Sequence, residues 1–397
     1  MQRKKLILLH IYKNGEKSRI KIMLRIDNLS FWEKSAYLKN LDFLIVGSGI
    51  VGLSTAIFLK KRFTNSRVLV IERGYLPTGA STKNAGFTCF GSPSELYDDL
   101  KTIKESIVWD TFSNRYNGLN TLFELVSKEK IEYQNCKSWD IIASNEANEI
   151  TTDFIEYINK KAHEITGREN IYSEDSSISK KFGFQGVDTS YCNKLEGSIH
   201  TGKLIQQLYK QAVKHDVNVL FGMEALSLVH DEKENIIETP YGEITSNNTI
   251  IATNGFAQHW INDDVMPARA QVLITNEIPD LKIKGTFHFD KGYYYFRNVG
   301  NRVLLGGGRN LDITGETTEK FGLSNQIQLK LKELLENVIL PSNSFEIEDS
   351  WSGIMGVGKS KSPIIKKINN NTAVGVRMGG MGVAIGSQVG KKLADLF

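Results

Sequence analysis

The stretch LDFLIVGSGIVGLSTAIFLKKR (residues 41–62) decides the fold of this chain. It opens with a short apolar run, residues 43–46, which is typical of a strand buried on both faces of a parallel sheet. A glycine-rich turn follows, and from residue 50 the apolar residues recur at helical spacing. Because RVLVIE (residues 67–72) then reads as a second strand, the sequence predicts a compact β-α-β unit.

The turn between the first strand and the helix has the spacing of a dinucleotide-binding site. Gly47 permits a tight turn, Gly49 lets the backbone approach a pyrophosphate, and Gly52 lets the helix pack closely on the strand. The helix N-terminus adds oriented N–H groups that favour phosphates. Glu72 ends the second strand 20 residues after Gly52, where a carboxylate accepts the ribose hydroxyls of an adenosine and repels a 2′-phosphate. We therefore predict a dinucleotide with an unphosphorylated adenosine ribose.

Two further segments combine glycine with small residues and can lie against an extended ligand. TGASTKNAGF (residues 78–87) follows Glu72 closely and offers hydroxyl groups and N–H donors. RMGGMGVAIG (residues 377–386) opens a C-terminal helix, whose dipole suits an electron-rich group such as the pyrimidine edge of a reduced flavin. Taken singly, the first segment is best explained as an ordinary loop, and the second also fits a helix packed closely on a strand.

The rest of the chain changes between helical and strand-like patterns. A short helix with Ser30 as its N-cap precedes the first strand, and residues 94–170 are polar with helical spacing. A hairpin turns at residues 241–242, residues 269–308 alternate as an antiparallel sheet does, and residues 323–338 return to helical spacing. A parallel start, an antiparallel middle and a glycine-rich end indicate one domain built from separate segments, with a second domain inserted.

Six short motifs occur in the order found in one known family. They are SFWEK with DFLIVGSGIVGLS, GASTKNAGF, IIATNGF, YYYFR with RVLLGGGR, WSGIMG with SP, and GGMGVAIG. Together they resemble the FAD-dependent D-amino-acid oxidase superfamily, which includes glycine oxidase, sarcosine oxidase and γ-glutamylputrescine oxidase-like amine oxidases. The resemblance extends over nearly the whole chain, from about residue 30 to residue 397. SFWEK, ATNGF and the YFR and GGGR runs resemble the amine-oxidase branch most.

The segment pattern and the resemblance together predict an α/β plus antiparallel β fold. A discontinuous Rossmann-type FAD-binding domain would carry an inserted substrate domain built on an antiparallel sheet. We place the FAD-binding domain at residues 23–110, 190–265 and 345–397, and the substrate domain at residues 111–189 and 266–344.

The resemblance also implies which residues hold the cofactor. We expect a non-covalent FAD, because no cysteine stands where sarcosine oxidases attach their flavin. The expected FAD contacts are Gly47, Ser48, Gly49, Ile50, Val51, Gly52, Glu72, Arg73, Ala80, Ser81, Thr82, Lys83, Asn84, Ala85, Gly86, Ala225, Thr253, Asn254, Gly255, Gly379, Gly380, Met381, Gly382 and Val383.

The expected substrate site departs from the family pattern. Amino-acid-oxidising members carry an arginine in a W-x-G-x-R-P context that clamps the substrate carboxylate, whereas Met355 stands at that position here. Arg297 or Arg269 could supply the charge, although either could instead pair within the sheet. Met381 replaces the histidine often seen in the last motif. We name Tyr293, Tyr295, Arg297 and Met355 as substrate residues, and Lys83, Arg297 and Tyr295 as catalytic candidates.

The resemblance implies oxidation of the C–N bond of a small amine or amino acid. Hydride transfer to flavin N5 would give an imine that water hydrolyses, and oxygen or another acceptor would then take the electrons. A 2-hydroxy-acid oxidase on the same fold is an alternative that would need His259 or His288 as its base. A weakly catalytic flavoprotein with an assembly or sensor role is a second alternative, since the family's arginine and histidine are replaced.

Composition argues against several other classes of protein. Residues 1–22 carry a net charge of +6 against +4 for the whole chain, so the remainder is nearly neutral and predicts no nucleic-acid-binding face. We expect residues 1–22 to lie outside the fold and Met23 to be the start, with a basic membrane-surface arm as the alternative. The sequence predicts neither a membrane span nor a metal site. Three widely spaced cysteines favour a cytoplasmic location.

Overall fold

The computed structural model describes residues 25–144, 149–230 and 234–397. The basic extension, residues 1–22, and the expected start at Met23 lie outside the described residues. Two eight-stranded sheets and a small two-stranded sheet make up the strands of the described part. None of its helices is long and apolar enough to cross a membrane.

The elements follow one another in chain order. The strands are β1 (Leu41–Val46), β2 (Val68–Glu72), β3 (Phe87–Thr88), β4 (Ser138–Ala143), β5 (Tyr172–Glu174), β6 (Val187–Asn193), β7 (Gly197–Ser198), β8 (Asn218–Phe221), β9 (Ser227–His230), β10 (Asn235–Thr239), β11 (Gly242–Ile251), β12 (Met266–Thr275), β13 (Thr286–Phe289), β14 (Tyr294–Val299), β15 (Arg302–Gly307), β16 (Ile347–Val357), β17 (Ile364–Asn369) and β18 (Thr372–Val376). The helices are α1 (Phe31–Glu33), α2 (Ile50–Arg62), α3 (Ala80–Lys83), α4 (Pro93–Thr102), α5 (Glu105–Leu125), α6 (Thr152–Thr166), α7 (Ile178–Phe182), α8 (Thr201–Lys214), α9 (Asn325–Leu334) and α10 (Gly382–Ala394).

The first sheet contains the predicted β-α-β unit. Its strand order is β17-β18-β11-β1-β2-β8, with β10 and β9 attached beside β11. β1 pairs in parallel with β2 and β11, and β11 pairs in parallel with β18. Both faces of β1 are covered: Phe43 and Ile45 pack in the core beneath α2 and α10, while Leu44 and Val46 belong to the core on the opposite face. The hairpin predicted at residues 241–242 is confirmed by the antiparallel pairing of β10 and β11.

The second sheet has the order β16-β12-β15-β14-β13-β4-β6-β5 and is antiparallel except where β13 meets β4. One face carries a core rich in aromatic rings, in which Phe287 stacks on Phe296 with ring centroids 4.7 Å apart. The other face looks toward the first sheet. Together, the parallel and antiparallel sheets confirm the predicted α/β plus antiparallel β class.

Two elements pack with a different sheet from the one that the predicted domain boundaries assign them to. β16 falls in a segment assigned to the FAD-binding domain, yet it pairs with β12 along the second sheet. α5 falls largely in the substrate segment, yet its buried residues Phe112 and Leu119 join the core of the first sheet. A third difference is β4, which interrupts the helical pattern predicted for residues 94–170. The domain boundaries themselves stay a prediction.

Candidate active site

The carboxyl ends of the parallel strands face one large cavity with a volume of about 790 Å³. β1 and β2 reach its wall with Val46 and Glu72, and Ala252 and Met378, which follow β11 and β18, line it as well. Ligands of open α/β sheets bind at this end of the strands. The opposite wall is the inner face of the second sheet.

The first glycine-rich turn is held by backbone contacts that leave no room for side chains. Gly47 has a φ of +106°, and a Cβ at Gly52 would lie 1.9 Å from the carbonyl oxygen of Gly47. α2 begins at Ile50 without a side-chain cap, and the first N–H groups of a helix have no acceptor within the helix. Ser81 accepts the N–H of Ile50 at 3.1 Å through its hydroxyl. The cavity is therefore lined by a helix N-terminus that suits a phosphate.

Glu72 stands at the cavity wall at the end of β2. One carboxyl oxygen accepts the N–H of Ser48 at 3.2 Å and its hydroxyl at 2.8 Å. The other accepts the N–H of Gly74 at 3.0 Å. These bonds fix the carboxylate beside the first turn, and its contact with a ribose stays a prediction.

Three hydrogen bonds of Asn84 stabilise the second glycine-containing loop, residues 78–87. The amide of Asn84 donates to the carbonyl oxygens of Ala80 and Ser81 at 3.0 and 2.9 Å and accepts the N–H of Gly86 at 2.8 Å. The carbonyl of Lys83 accepts the indole N–H of Trp351 on β16 at 3.0 Å. The loop thus connects the two sheets along the cavity.

The C-terminal turn enters α10 through two residues in the left-handed region, Gly379 with a φ of +56° and Gly380 with a φ of +82°. α10 starts at Gly382 without a side-chain cap, so its first N–H groups have no acceptor within the helix, and Gly382 and Val383 line the cavity. The sulfur of Met355 lies 3.4 Å from where a Cβ of Gly380 would stand. The residue that replaces the family's arginine therefore faces this turn.

The cavity brings together most of the predicted site residues. Those in its wall are Gly47, Ser48, Gly49, Ile50, Val51, Glu72, Arg73, Ala80, Ser81, Lys83, Asn84, Ala85, Gly86, Ala225, Thr253, Asn254, Tyr295, Met355, Gly379, Gly380, Met381, Gly382 and Val383. Gly52, Thr82, Gly255, Tyr293 and Arg297 are not in the wall. Gly52 and Gly255 instead allow close backbone contacts, and Tyr293 is 51% exposed.

The two arginines considered for a substrate carboxylate do not line the cavity. Arg269 forms a bidentate pair with buried Glu316, at 2.9 and 2.7 Å. Arg297 lies behind Gly86 and donates to the carbonyl of Ile199 at 3.0 Å, and burial lowers the pKa of Arg297 to about 10. Arg269 is thus engaged in a structural ion pair, which was the alternative to a role in binding the substrate carboxylate.

An aromatic cluster lines the cavity on the side of the second sheet. Phe87 meets the rings of His288 and Tyr295 edge-on, with centroids 5.4 and 5.9 Å apart. Burial lowers the pKa of His288 to about 4 and raises the pKa of Tyr295 to about 12. Both side chains are therefore neutral at physiological pH.

A charged cluster in the cavity wall was missed by sequence reasoning. Arg115 donates two 3.0 Å bonds to the carboxylate of Glu95, and Lys361 bridges Glu95 at 2.8 Å and Asp99 at 2.7 Å. Burial opposes ionisation of Glu95, but Arg115 and Lys361 outweigh it and hold the pKa of this carboxyl well below its usual range. The cluster pairs two positive with two negative charges. One signal was available: Arg115 stands on the apolar face of its helix, between Phe112 and Leu119.

These features fit an FAD molecule. The N-termini of α2 and α10, whose own N-cap residues supply no side-chain cap, suit a pyrophosphate and an electron-rich ring edge, and three turns that exclude side chains let a backbone lie against an extended ligand.

Comparison with known proteins supports this assignment. Residues 42–396 match the sequence model of the FAD dependent oxidoreductase family, DAO. A probable oxidoreductase, OrdL, of Rhizobium meliloti (strain 1021) is 22% identical over 382 residues, covering 89% of this chain and 82% of that protein. Glycine oxidase from Bacillus cereus ATCC 14579 superposes with a TM-score of 0.71 at 16% identity, over 90% of this chain and 94% of that one. L-proline dehydrogenase from P. horikoshii also reaches 0.71, at 15% identity over 90% and 93%. Since the family match spans nearly the whole chain, the protein belongs to the DAO family of FAD dependent oxidoreductases.

Proposed function

We propose that this enzyme oxidises the C–N bond of a small amine or amino acid. The observation that carries the proposal is the composition of one cavity, in which the FAD-type turns face an aromatic wall of Phe87, His288 and Tyr295. Two proteins with this fold are named for action on amino compounds, glycine and L-proline. When bound, FAD supplies the acceptor for a hydride removed from the carbon next to nitrogen.

The chain's own residues would hold the cofactor. The first turn and Glu72 would take the adenosine and pyrophosphate, and the turn before α10 would face the flavin ring. Cys89 lines the same cavity, but burial raises the pKa of its thiol well above the ordinary value. A thiol that stays protonated is a poor nucleophile, so the cavity supports non-covalent FAD. Lys83 and Tyr295 keep their place as catalytic candidates, since both line the cavity.

Met355 and the charged cluster favour an amine without an α-carboxylate. The Glu95 cluster is internally paired, and both candidate arginines lie outside the cavity wall. The 2-hydroxy-acid alternative is less well supported, because His288, with a pKa of about 4, is a weak base, and the His259 side chain is 66% exposed.

Anaerobic mixing with a panel of compounds tests the proposal. The panel contains benzylamine and putrescine as amines, glycine, L-proline and D-alanine as amino acids, and glycolate and lactate as hydroxy acids. We expect amines or amino acids to bleach the flavin absorbance band. Bleaching by hydroxy acids alone would refute the proposal, and no bleaching at all would favour a weakly catalytic protein. Repeating the active mixtures with oxygen shows whether oxygen is the acceptor.

Glu72→Ala is expected to weaken FAD binding by about 10-fold or more, because a charge-assisted hydrogen bond contributes about 1.5–3 kcal/mol. Kd is measured by titrating apoprotein with FAD and following fluorescence quenching. Glu224→Ala is the matched control, since Glu224 lines the same cavity but does not end β2. An unchanged Kd for Glu72→Ala would mean that the ribose contact is misassigned.

Met355→Arg is expected to shift preference toward amino acids by restoring a cation at the family's position. The ratio of kcat/KM for an α-amino acid over the matching amine should rise by about 10-fold or more, since a bidentate arginine–carboxylate pair is a strong contact. Met355→Leu keeps the volume without the charge and should leave the ratio unchanged. An equal ratio in all three proteins would show that residue 355 does not face the substrate carboxylate.

A further inference from the structure

A buried polar network lies directly behind one wall of the cavity. Ser138 and Asp140 of β4 point to the same side of the second sheet, away from the aromatic core that holds Trp139 and Ile141. Glu196, in the turn before β7, lies beside Ser138. All three polar side chains are buried, with at most 2% of their surface exposed.

The two carboxyl groups hold the backbone of the wall itself. One oxygen of Glu196 accepts the N–H groups of Phe90 and Gly91 at 2.7 and 3.1 Å. One oxygen of Asp140 accepts the N–H of Ser94 at 2.7 Å. Gly91 lines the cavity on the other side of this segment.

The remaining polar atoms of the network lack protein partners among the described residues. They are the second oxygens of Asp140 and Glu196 and the amide nitrogen of Asn193, which sits opposite Ser138 across the strand pair, while the Ser138 hydroxyl faces the carboxyl group of Glu196. Buried polar groups are almost always satisfied, by water where the protein offers nothing. Three such atoms on neighbouring residues of this network therefore point to internal water beside the two acids.

Ser92 connects this network to the cavity. Its hydroxyl lies 3.4 Å from that of Ser94, and both serines lie next to Asp140. Ser92 itself lines the cavity while only 8% exposed. A path of hydroxyl and carboxyl groups thus leads from the cavity to Asp140 and, through water near Ser138, to Glu196.

We propose that Asp140 and Glu196 form a proton relay that opens onto the active site at Ser92. The inference rests on the proposed function, because an amine arrives mainly as the ammonium ion and must lose a proton before hydride can leave its α-carbon. In this step the substrate N–H bond breaks as Ser92 accepts the proton. The Ser92 hydroxyl proton passes to Ser94 and so to the carboxylate of Asp140, where an O–H bond forms. No electrons are transferred.

The buried surroundings bring the pKa of both acids close to neutral pH. Burial raises the pKa of Asp140 to about 6 and that of Glu196 to about 7. The titratable groups packed around them are Glu95 with its partner Arg115, Cys89, Tyr133 and Tyr172, whose hydroxyl donates to the carbonyl of Gly91 at 2.7 Å. Near neutral pH the pair can therefore both take up and release a proton, and at lower pH it is protonated and cannot accept one.

Asp140→Asn and Glu196→Gln test the relay, since each amide oxygen still accepts the backbone N–H groups of the wall. Glu156→Gln, an exposed acid on α6, is the matched control. Flavin reduction by the fastest amine of the panel is followed anaerobically from acid to alkaline pH. We expect both variants to react about 10–100-fold more slowly at neutral pH. They should approach wild type at alkaline pH, where the substrate arrives as neutral amine.

A second readout needs no substrate. In wild-type holoprotein the infrared carbonyl band of buried carboxylic acids should disappear as pH rises past about 6 to 7, and each variant should lack part of it. Variants with wild-type pH profiles, or rates lowered equally at every pH, would overturn the relay and leave a structural role. Failure of all panel amines to reduce wild-type flavin would instead overturn the proposed function, so the two failures are distinguishable.

Discussion

Arg115→Met is expected to lower the free energy of unfolding by about 3 kcal/mol, at the lower end of the cost of breaking a buried ion pair. Arg115 is 5% exposed and gives Glu95 two hydrogen bonds, so its removal leaves a largely buried carboxylate with Lys361 as its remaining charged partner. The measurement is urea unfolding of the FAD-loaded protein at neutral pH. Arg302→Met, which breaks more exposed pairs with Glu277 and Glu348, should cost no more than about 1 kcal/mol.

The pH dependence of this loss follows from Glu95. Its pKa is lowered in the folded protein, so the pair stabilises the fold above the carboxyl's unfolded pKa of about 4.3. That stabilisation is lost as the pH falls toward the folded pKa, and the difference between wild type and Arg115→Met should shrink in acid. The double variant Glu95→Gln with Arg115→Met should recover much of the loss, since no unpaired charge remains. An Arg115→Met protein as stable as wild type would show that Lys361 alone satisfies Glu95.

The parts of the site that were predictable are those in which the backbone itself dictates the residue. Gly47, Gly52 and Gly380 stand where a side chain would meet a carbonyl group or where φ is positive, so the requirement appears as a local motif. Ser30 is a similar case: its hydroxyl accepts the N–H of Glu33, and Glu33 accepts the N–H of Ser30 in return.

The features of the site that the sequence did not predict depend on tertiary packing between segments that are distant in the chain. β4 lies in the polar stretch that we predicted to be helical from its apolar residues at three- and four-residue spacing, and its pairing with β13 and β6 makes it a strand. Arg297 follows two tyrosines in its strand, but the sequence does not show that the Gly86 loop and Ile199 lie between it and the cavity. The same holds for Glu196 and Asp140, which are far apart in the chain and are brought to the same wall because each accepts backbone N–H groups of residues 90–94.

Gly52→Ala is expected to lower FAD retention by about 10-fold or more. A methyl carbon at this position would stand 1.9 Å from the carbonyl oxygen and 3.0 Å from the carbonyl carbon of Gly47. Relief requires the helix to move away from the turn, because the obstructing atoms are backbone, and overpacking of this kind costs about 1–3 kcal/mol or more. The movement displaces the N–H groups that would hold the pyrophosphate. We expect at least a 10-fold lower FAD content after purification, measured by absorbance of released flavin.

Gly167→Ala separates this effect from a general loss of stability. Gly167 ends α6 with a φ of +66°, and a Cβ there would meet no atom within 4 Å. Alanine in the left-handed region costs about 1–2 kcal/mol, comparable to the strain at Gly52, but it lies outside the cavity wall. If both variants lose FAD equally, retention follows stability alone. If Gly52→Ala keeps a full complement of FAD with unchanged Kd, the contact between helix and turn does not position the phosphate donors. The cofactor must then be held chiefly by Glu72, the loop at residues 79–86 and the turn before α10.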